Sequence, residues 1–163
     1  EMRMAMAFFG HMGIEWNLNI EPAEALDKLA VWVAEFKKHR DWFAIDTCVH
    51  SDVNDPAIRL DGMVMPNKDA AIYRFTQLTT SQTYPAAPVR LPGLDPKRTY
   101  RISPLDPSLD LETPGIANGE SLLGWWRSEG VVMTGETLQR YGIRPPSLHP
   151  AQACLFKAVA FSE

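Results

Sequence analysis

From Trp42 onward this 163-residue chain is cut by turn residues into pieces too short for long helices. The runs "FAIDTCVH", "AIRLDGMVM", "AAIYRFTQLTT", "PVRLPGL" and "RTYRI" are rich in β-branched and aromatic residues, and "NDP", "MPNKD", "YPAAP", "GLDPK" and "SPLDP" punctuate them. Such runs suit a pleated, half-buried surface, whereas Pro, Gly, Asn and Asp set the backbone angles of tight turns. Strands joined by compact turns pair antiparallel, so this region is expected to form an antiparallel β-sandwich. The last run, "AQACLFKAVAF", is expected to return and close a sheet. A short helical stretch fits around Leu138 and Tyr141, and "PLDPSLDLETPGIANGES", ending at Ser121, reads as a long loop.

The residues before Trp42 have a different rhythm. Met4 to Phe9 is apolar throughout and stopped by Gly10, the pattern of a short strand covered on both faces, with a buried helix as the competing reading. After "GHMGIEWNLNIE", Pro22 suits an early helical position, and Leu26, Leu29, Val33 and Phe36 recur at helical spacing. Glu21 and Glu24 sit near the positive end of that helix; Lys37, Lys38, His39 and Arg40 crowd the negative end. A lone strand-loop-helix unit cannot bury both faces of its strand. Because Glu1 precedes that strand with no lead-in, the chain is expected to be a fragment, with a boundary that divides residues 1–41 from 42–163.

Composition narrows the function. An apolar share of 45% and a charged share of 22% suit a soluble globular protein. No stretch approaches the roughly 18 apolar residues that would cross a bilayer, so no membrane partner is expected. The net charge of −4 offers phosphate backbones no broad attraction, which argues against nucleic acid. Cys48 and Cys154 lie far apart with no CxxC spacing, so neither a disulfide framework nor a zinc site is expected; with no signal peptide pattern, a cytoplasmic setting fits.

Each chemical candidate has a plainer account. His11 and Glu15 are four apart, but the glycines beside Met12 oppose a helix and no third ligand is near, so no metal is expected. Asp52, Asp55, Asp106, Asp110 and Glu112 lie among Pro, Asn and Ser, where acids cap turns. Ser121 and the pair Ser147 and His149 match no nucleophile elbow. Cys48 and Cys154 read as small buried hydrophobes. In "GWWR", ending at Arg127, Trp125 and Trp126 would stack sugars if exposed, though burial of at least one indole is favoured. Lys97, Arg98 and Arg101 around Tyr100 form a basic-aromatic cluster that reads as a solvated strand edge.

Taken in order, "RMAMAFFGHMGIEWNL", the helix ending "FKKHRDWF", "VRLPGLDPKRTYRI" and "TGETLQRYGIRPPSLHPAQACLFK" resemble the C-terminal portion of bacterial α-galactosidases of glycoside hydrolase family 36. The resemblance covers nearly the whole chain. It implies a mostly β fold: the last strand, rim loop and helix of a (β/α)8 barrel in residues 1–41, then a C-terminal antiparallel β-sandwich in 42–163. Glu15 and Trp16 would lie in the rim loop. The family is a retaining glycosidase whose two aspartates, roughly 5 Å apart in such enzymes, flank the scissile bond. Both come from barrel strands upstream, the nucleophile within a Lys-x-Asp motif that this sequence lacks. The resemblance therefore assigns no catalytic residue here and no cofactor. It implies that the piece alone is inactive, that it closes and stabilises the barrel, and that its partners are the upstream domains and α-galactosides of the intact enzyme, with a homo-oligomer as a further option. The competing reading is a carbohydrate-binding or oligomerisation module.

Overall fold

The computed structural model describes residues 2–105, 123–126 and 129–161. Its centre is a six-stranded antiparallel sheet made of β1 (Thr47–His50), β2 (Ile58–Val64), β3 (Ala70–Gln77), β4 (Thr99–Pro104), β5 (Val131–Thr134) and β6 (Gln152–Ala160). The spatial order is β1-β2-β3-β6-β4-β5. The returning last run thus lies in the middle, paired with β3 from Gln77↔Gln152 to Ala70↔Val159 and with β4 from Tyr100↔Ala160 to Pro104↔Phe156. The short helix is also present, as α3 (Gly135–Arg140), opened by Thr134 whose hydroxyl accepts from the Thr137 N–H.

Both faces of the sheet are covered. On one, Leu60, Tyr73, Phe75, Tyr100, Ile102 and Phe156 pack against Val89, Leu91, Leu94, Trp126 and Leu138 from connecting segments and α3. On the other, Ile72, Ala153 and Leu155 meet Ala5, Phe8 and Trp32 from the N-terminal helices. Neighbouring residues of β3 and β6 therefore alternate between two cores, and β3 is buried along almost its whole length.

The N-terminal region departs from expectation. Met2–Ala7 is a helix, α1, where a strand was expected over Met4–Phe9. Met and Ala are strong helix formers, and a helix satisfies its own backbone groups, which a strand does only beside a neighbour. All strands among the described residues belong to the antiparallel sheet, and no (β/α)8 barrel is present there. After an irregular segment and a 3-10 turn at Leu18–Ile20, helix α2 runs from Ala23 to Phe43, past the basic cluster Lys37, Lys38, His39 and Arg40 expected at its negative end. Its buried stripe is Leu29, Trp32 and Glu35, flanked by Phe36. Phe8 is fully buried among Trp32, Phe36 and Phe43, with ring centroids 5.7–6.1 Å away.

Two smaller corrections follow from proline and from pairing. "PVRLPGL" forms only an isolated bridge, Val89↔Ile143, because Pro88 and Pro92 lack the N–H that a ladder needs. The "KRTYR" run is not a solvated edge: β4 lies between β6 and β5, and Tyr100 is fully buried.

Candidate functional site

The residues singled out from sequence do not converge. His11, Glu15 and Trp16 are exposed in the irregular segment after α1. Trp16 lines a shallow cavity of about 430 Å³ with Arg3, Glu21, Lys28 and Trp32. Asp52 and Asp55 line a second cleft, of about 420 Å³, with Asn54, Gln82 and Arg90. Asp55 there performs turn chemistry: it accepts from the Ala57 N–H at 2.9 Å and from the Ser81 hydroxyl. The Ser81 bond, with the Ala57 N–H, holds its carboxyl below the usual range. His149 spends its backbone N–H on Gln152 at 2.8 Å, with no triad around Ser147. Asp106, Asp110, Glu112, Ser121 and Arg127 lie outside the described residues.

The tryptophan pair is packing. Trp125 and Trp126 are 8% and 3% exposed, and they meet edge to face at 5.2 Å. Trp125 also rests on Phe156 and donates Nε1–H to the Arg144 carbonyl at 2.9 Å. Neither indole of this pair has a free face for a sugar, so the platform reading of Trp125 and Trp126 fails. The basic cluster is likewise engaged within the fold. Arg98 holds Asp69 at 2.7 Å, Arg101 donates to the Glu129 carbonyl and lies over Phe161, and Tyr100 donates to the Lys68 carbonyl while accepting from the Asp95 N–H.

Cys154 is buried as expected, and burial pushes its thiol up. Cys48 is not: β1 is an edge strand and the thiol is exposed, against the expectation of a buried residue.

Sequence reasoning missed three charged features. Glu35, on the buried stripe of α2, accepts from Lys38 Nζ at 2.6 Å and pairs with His39 Nε2 at 2.9 Å. The His39 bond outweighs burial and, with Lys38, brings the Glu35 carboxyl from 4.5 to about 2. Their i,i+3 and i,i+4 spacing was available in the sequence. Asp61 bridges Arg74 at 2.8 Å and His50 at 2.7 Å; burial opposes ionisation, yet both partners hold the carboxyl low. That group is assembled by strand register, which no local pattern announces. Both Asp46 oxygens are buried without a hydrogen-bond partner, and burial lifts the carboxyl to about 6.

Retaining hydrolysis requires two carboxyls in one cleft with environments that push their proton affinities apart. Asp52, Asp55 and Asp61 line one open cleft of about 540 Å³, but Asp55 and Asp61 are both held below the usual carboxylate range, and Asp46, the raised acid, lines none of the three clefts. Among the described residues, no raised carboxyl shares a cleft with a lowered one.

Residues 56–157 match the family model for the glycosyl hydrolase family 36 C-terminal domain, and residues 1–46 match that for melibiase. The chain belongs to glycosyl hydrolase family 36. An Escherichia coli alpha-galactosidase is 28% identical over 152 residues, 91% of this chain but 21% of that protein. The crystal structure of an alpha-galactosidase from Lactobacillus brevis superposes with a TM-score of 0.75 at 22% identity, over 99% of this chain and 20% of that one. A family 36 alpha-galactosidase of Geobacillus stearothermophilus, solved with raffinose, gives 0.73 at 17% identity, over 98% and 19%. The chain thus spans about a fifth of the length of these proteins.

Proposed function

We propose that this chain is the C-terminal part of an α-galactosidase, a retaining glycoside hydrolase that releases terminal α-linked galactose from oligosaccharides such as raffinose, stachyose or melibiose. In this reading it closes and buttresses the catalytic barrel, and the nucleophile and acid/base come from the rest of the enzyme. The observation that carries it is the pair of consecutive family matches, 1–46 and 56–157. The E. coli relative bears the alpha-galactosidase name, and the Geobacillus enzymes were solved with raffinose and stachyose.

The division near residues 41 and 42 is supported by the end of α2 at Phe43, the start of β1 at Thr47 and the gap between the two matches. Exposed Ile14, Trp16, Leu18 and Ile20 support a covering barrel. A further copy of the chain is the competing occupant, which light scattering distinguishes. The free thiols of Cys48 and Cys154 support a reducing, cytoplasmic setting.

The test is hydrolysis of an aryl α-galactoside by this chain and by the longer polypeptide that contains it. The longer polypeptide is expected to turn over and the chain alone to be inert. Galactose release by the chain alone would show that it holds its own catalytic pair; inactivity of a folded longer polypeptide would remove the substrate assignment.

A further inference from the structure

Edge strand β1 places Cys48 and His50 two residues apart, and therefore on one face of the sheet. Their distance is 3.8 Å from Cys48 Sγ to His50 Nε2. The register with β2 sets His50 opposite Asp61, and His50 Nδ1 lies 2.7 Å from Asp61 Oδ1. The register of β2 with β3 then sets Asp61 opposite Arg74, whose guanidinium holds the other carboxylate oxygen at 2.8 Å. The four side chains form a line: thiol, imidazole, carboxylate, guanidinium. Its inner end is largely buried and its outer end is open, with the His50 side chain 71% exposed.

Each member has a definite role in that line. An ionised carboxylate accepts only, so Asp61 draws the imidazole proton to Nδ1 and leaves Nε2 as the acceptor that faces the thiol. Arg74 fixes the carboxylate and, with it, the ring's orientation. A nucleophile beside a base that a third group orients is the arrangement that activates thiols and hydroxyls. Cys154 is fully buried and offers no competing reaction in the native chain.

We propose that Cys48 is a thiol-disulfide exchange site, activated by His50 and Asp61, that takes up low-molecular-weight disulfides as a reversible mixed disulfide. His50 Nε2 accepts the Cys48 proton, and the thiolate attacks one sulfur of the incoming disulfide. A bond forms between Cys48 Sγ and that sulfur as the original S–S bond breaks. The second sulfur leaves with the bonding pair and takes the proton back from the imidazolium. Cys48 is oxidised, one half of the reagent is reduced to a thiol, and no further reactant is needed. This inference is independent of the glycosidase reading.

The experiment follows an aromatic bis(nitrobenzoate) disulfide by the coloured thiol it releases, with the native chain, His50→Gln and Cys48→Ser. The native chain is expected to release one equivalent quickly and Cys48→Ser none, the second equivalent appearing only after denaturation. At about pH 7, where an unassisted thiol is only a few per cent ionised, His50→Gln is expected to react about tenfold more slowly. At about pH 10, where exposed thiols ionise unaided, the two rates should agree within about twofold. Oxidised glutathione, read by intact mass, should add one glutathionyl group at Cys48 and none in Cys48→Ser. Equal rates for the native chain and His50→Gln at the lower pH would overturn the proposal, as would a deficit that persists unchanged at the higher pH, which would mark His50 as an access effect.

Discussion

Glu35 shows how a charged residue earns a place on a buried helical stripe. It is 5% exposed, yet Lys38 and His39, one turn on, both reach it and replace the water it has lost. Its carboxyl falls from 4.5 to about 2, so its stabilising contribution is complete above pH 4.5 and is lost as the pH drops toward 2. We predict that Glu35→Gln lowers stability near neutrality by roughly 2 kcal/mol and flattens the acid limb, measured by urea unfolding across that range. Gly62 carries a different constraint. A Cβ there would lie 2.5 Å from Tyr73 Cδ1, and Tyr73 is pinned by its hydroxyl, which donates to the Pro92 carbonyl at 2.6 Å. Gly62→Ala is therefore expected to cost about 1–3 kcal/mol, read from the shift in denaturation midpoint; a neutral result would mean that the ring moves freely.

Among the elements, α1 is the one whose type was misread, and Arg74 explains where it sits. From β3, Arg74 donates to the Met6 carbonyl at 3.0 Å, lies over the Phe9 ring at 4.9 Å and pairs with Asp61. One side chain thus ties the end of α1 to the sheet and satisfies a carbonyl that the helix leaves open. Arg74→Met retains much of the apolar stem but leaves Asp61 with only His50. The expected loss is about 2–4 kcal/mol, with faster amide exchange across residues 2–9 than across β3 and β6. Uniform acceleration over the whole sheet would argue that Arg74 supports the fold in general and not the docking of α1. The helix α2 was legible because apolar spacing and a starting proline agree; its length was not, because Phe43 is held by rings of Phe8, Phe9 and Phe36.

At the scale of the molecule, the uneven covering is the informative feature. The face of the sheet under Trp125 and Trp126 is closed, whereas the N-terminal region leaves Ile20 77% and Trp16 45% exposed, with Val31 and Ile45 also open. If a barrel covers that surface in the longer polypeptide, the chain alone should bind a hydrophobic dye and the longer polypeptide should not, as measured by fluorescence. Strong dye binding by both would remove the buttressing role. The candidate site was partly legible: turn residues predicted the role of Asp55, and the volume of the indoles favoured burial of Trp125 or Trp126. The Cys48, His50 and Asp61 line was invisible, because His50 and Asp61 meet only once two strands choose their register.

The sequence by itself determined the antiparallel β class, the helix that follows Pro22, the short helix at Leu138 and the family, since each rests on local periodicity, turn chemistry or the order of motifs. Only the tertiary structure decided that the last run enters the middle of the sheet, that Met2–Ala7 coils, and that Cys48 faces solvent beside an oriented histidine. Those outcomes depend on which groups find partners across long separations in the chain, and backbone pairing and desolvation act on distance in space, whatever the spacing along the sequence.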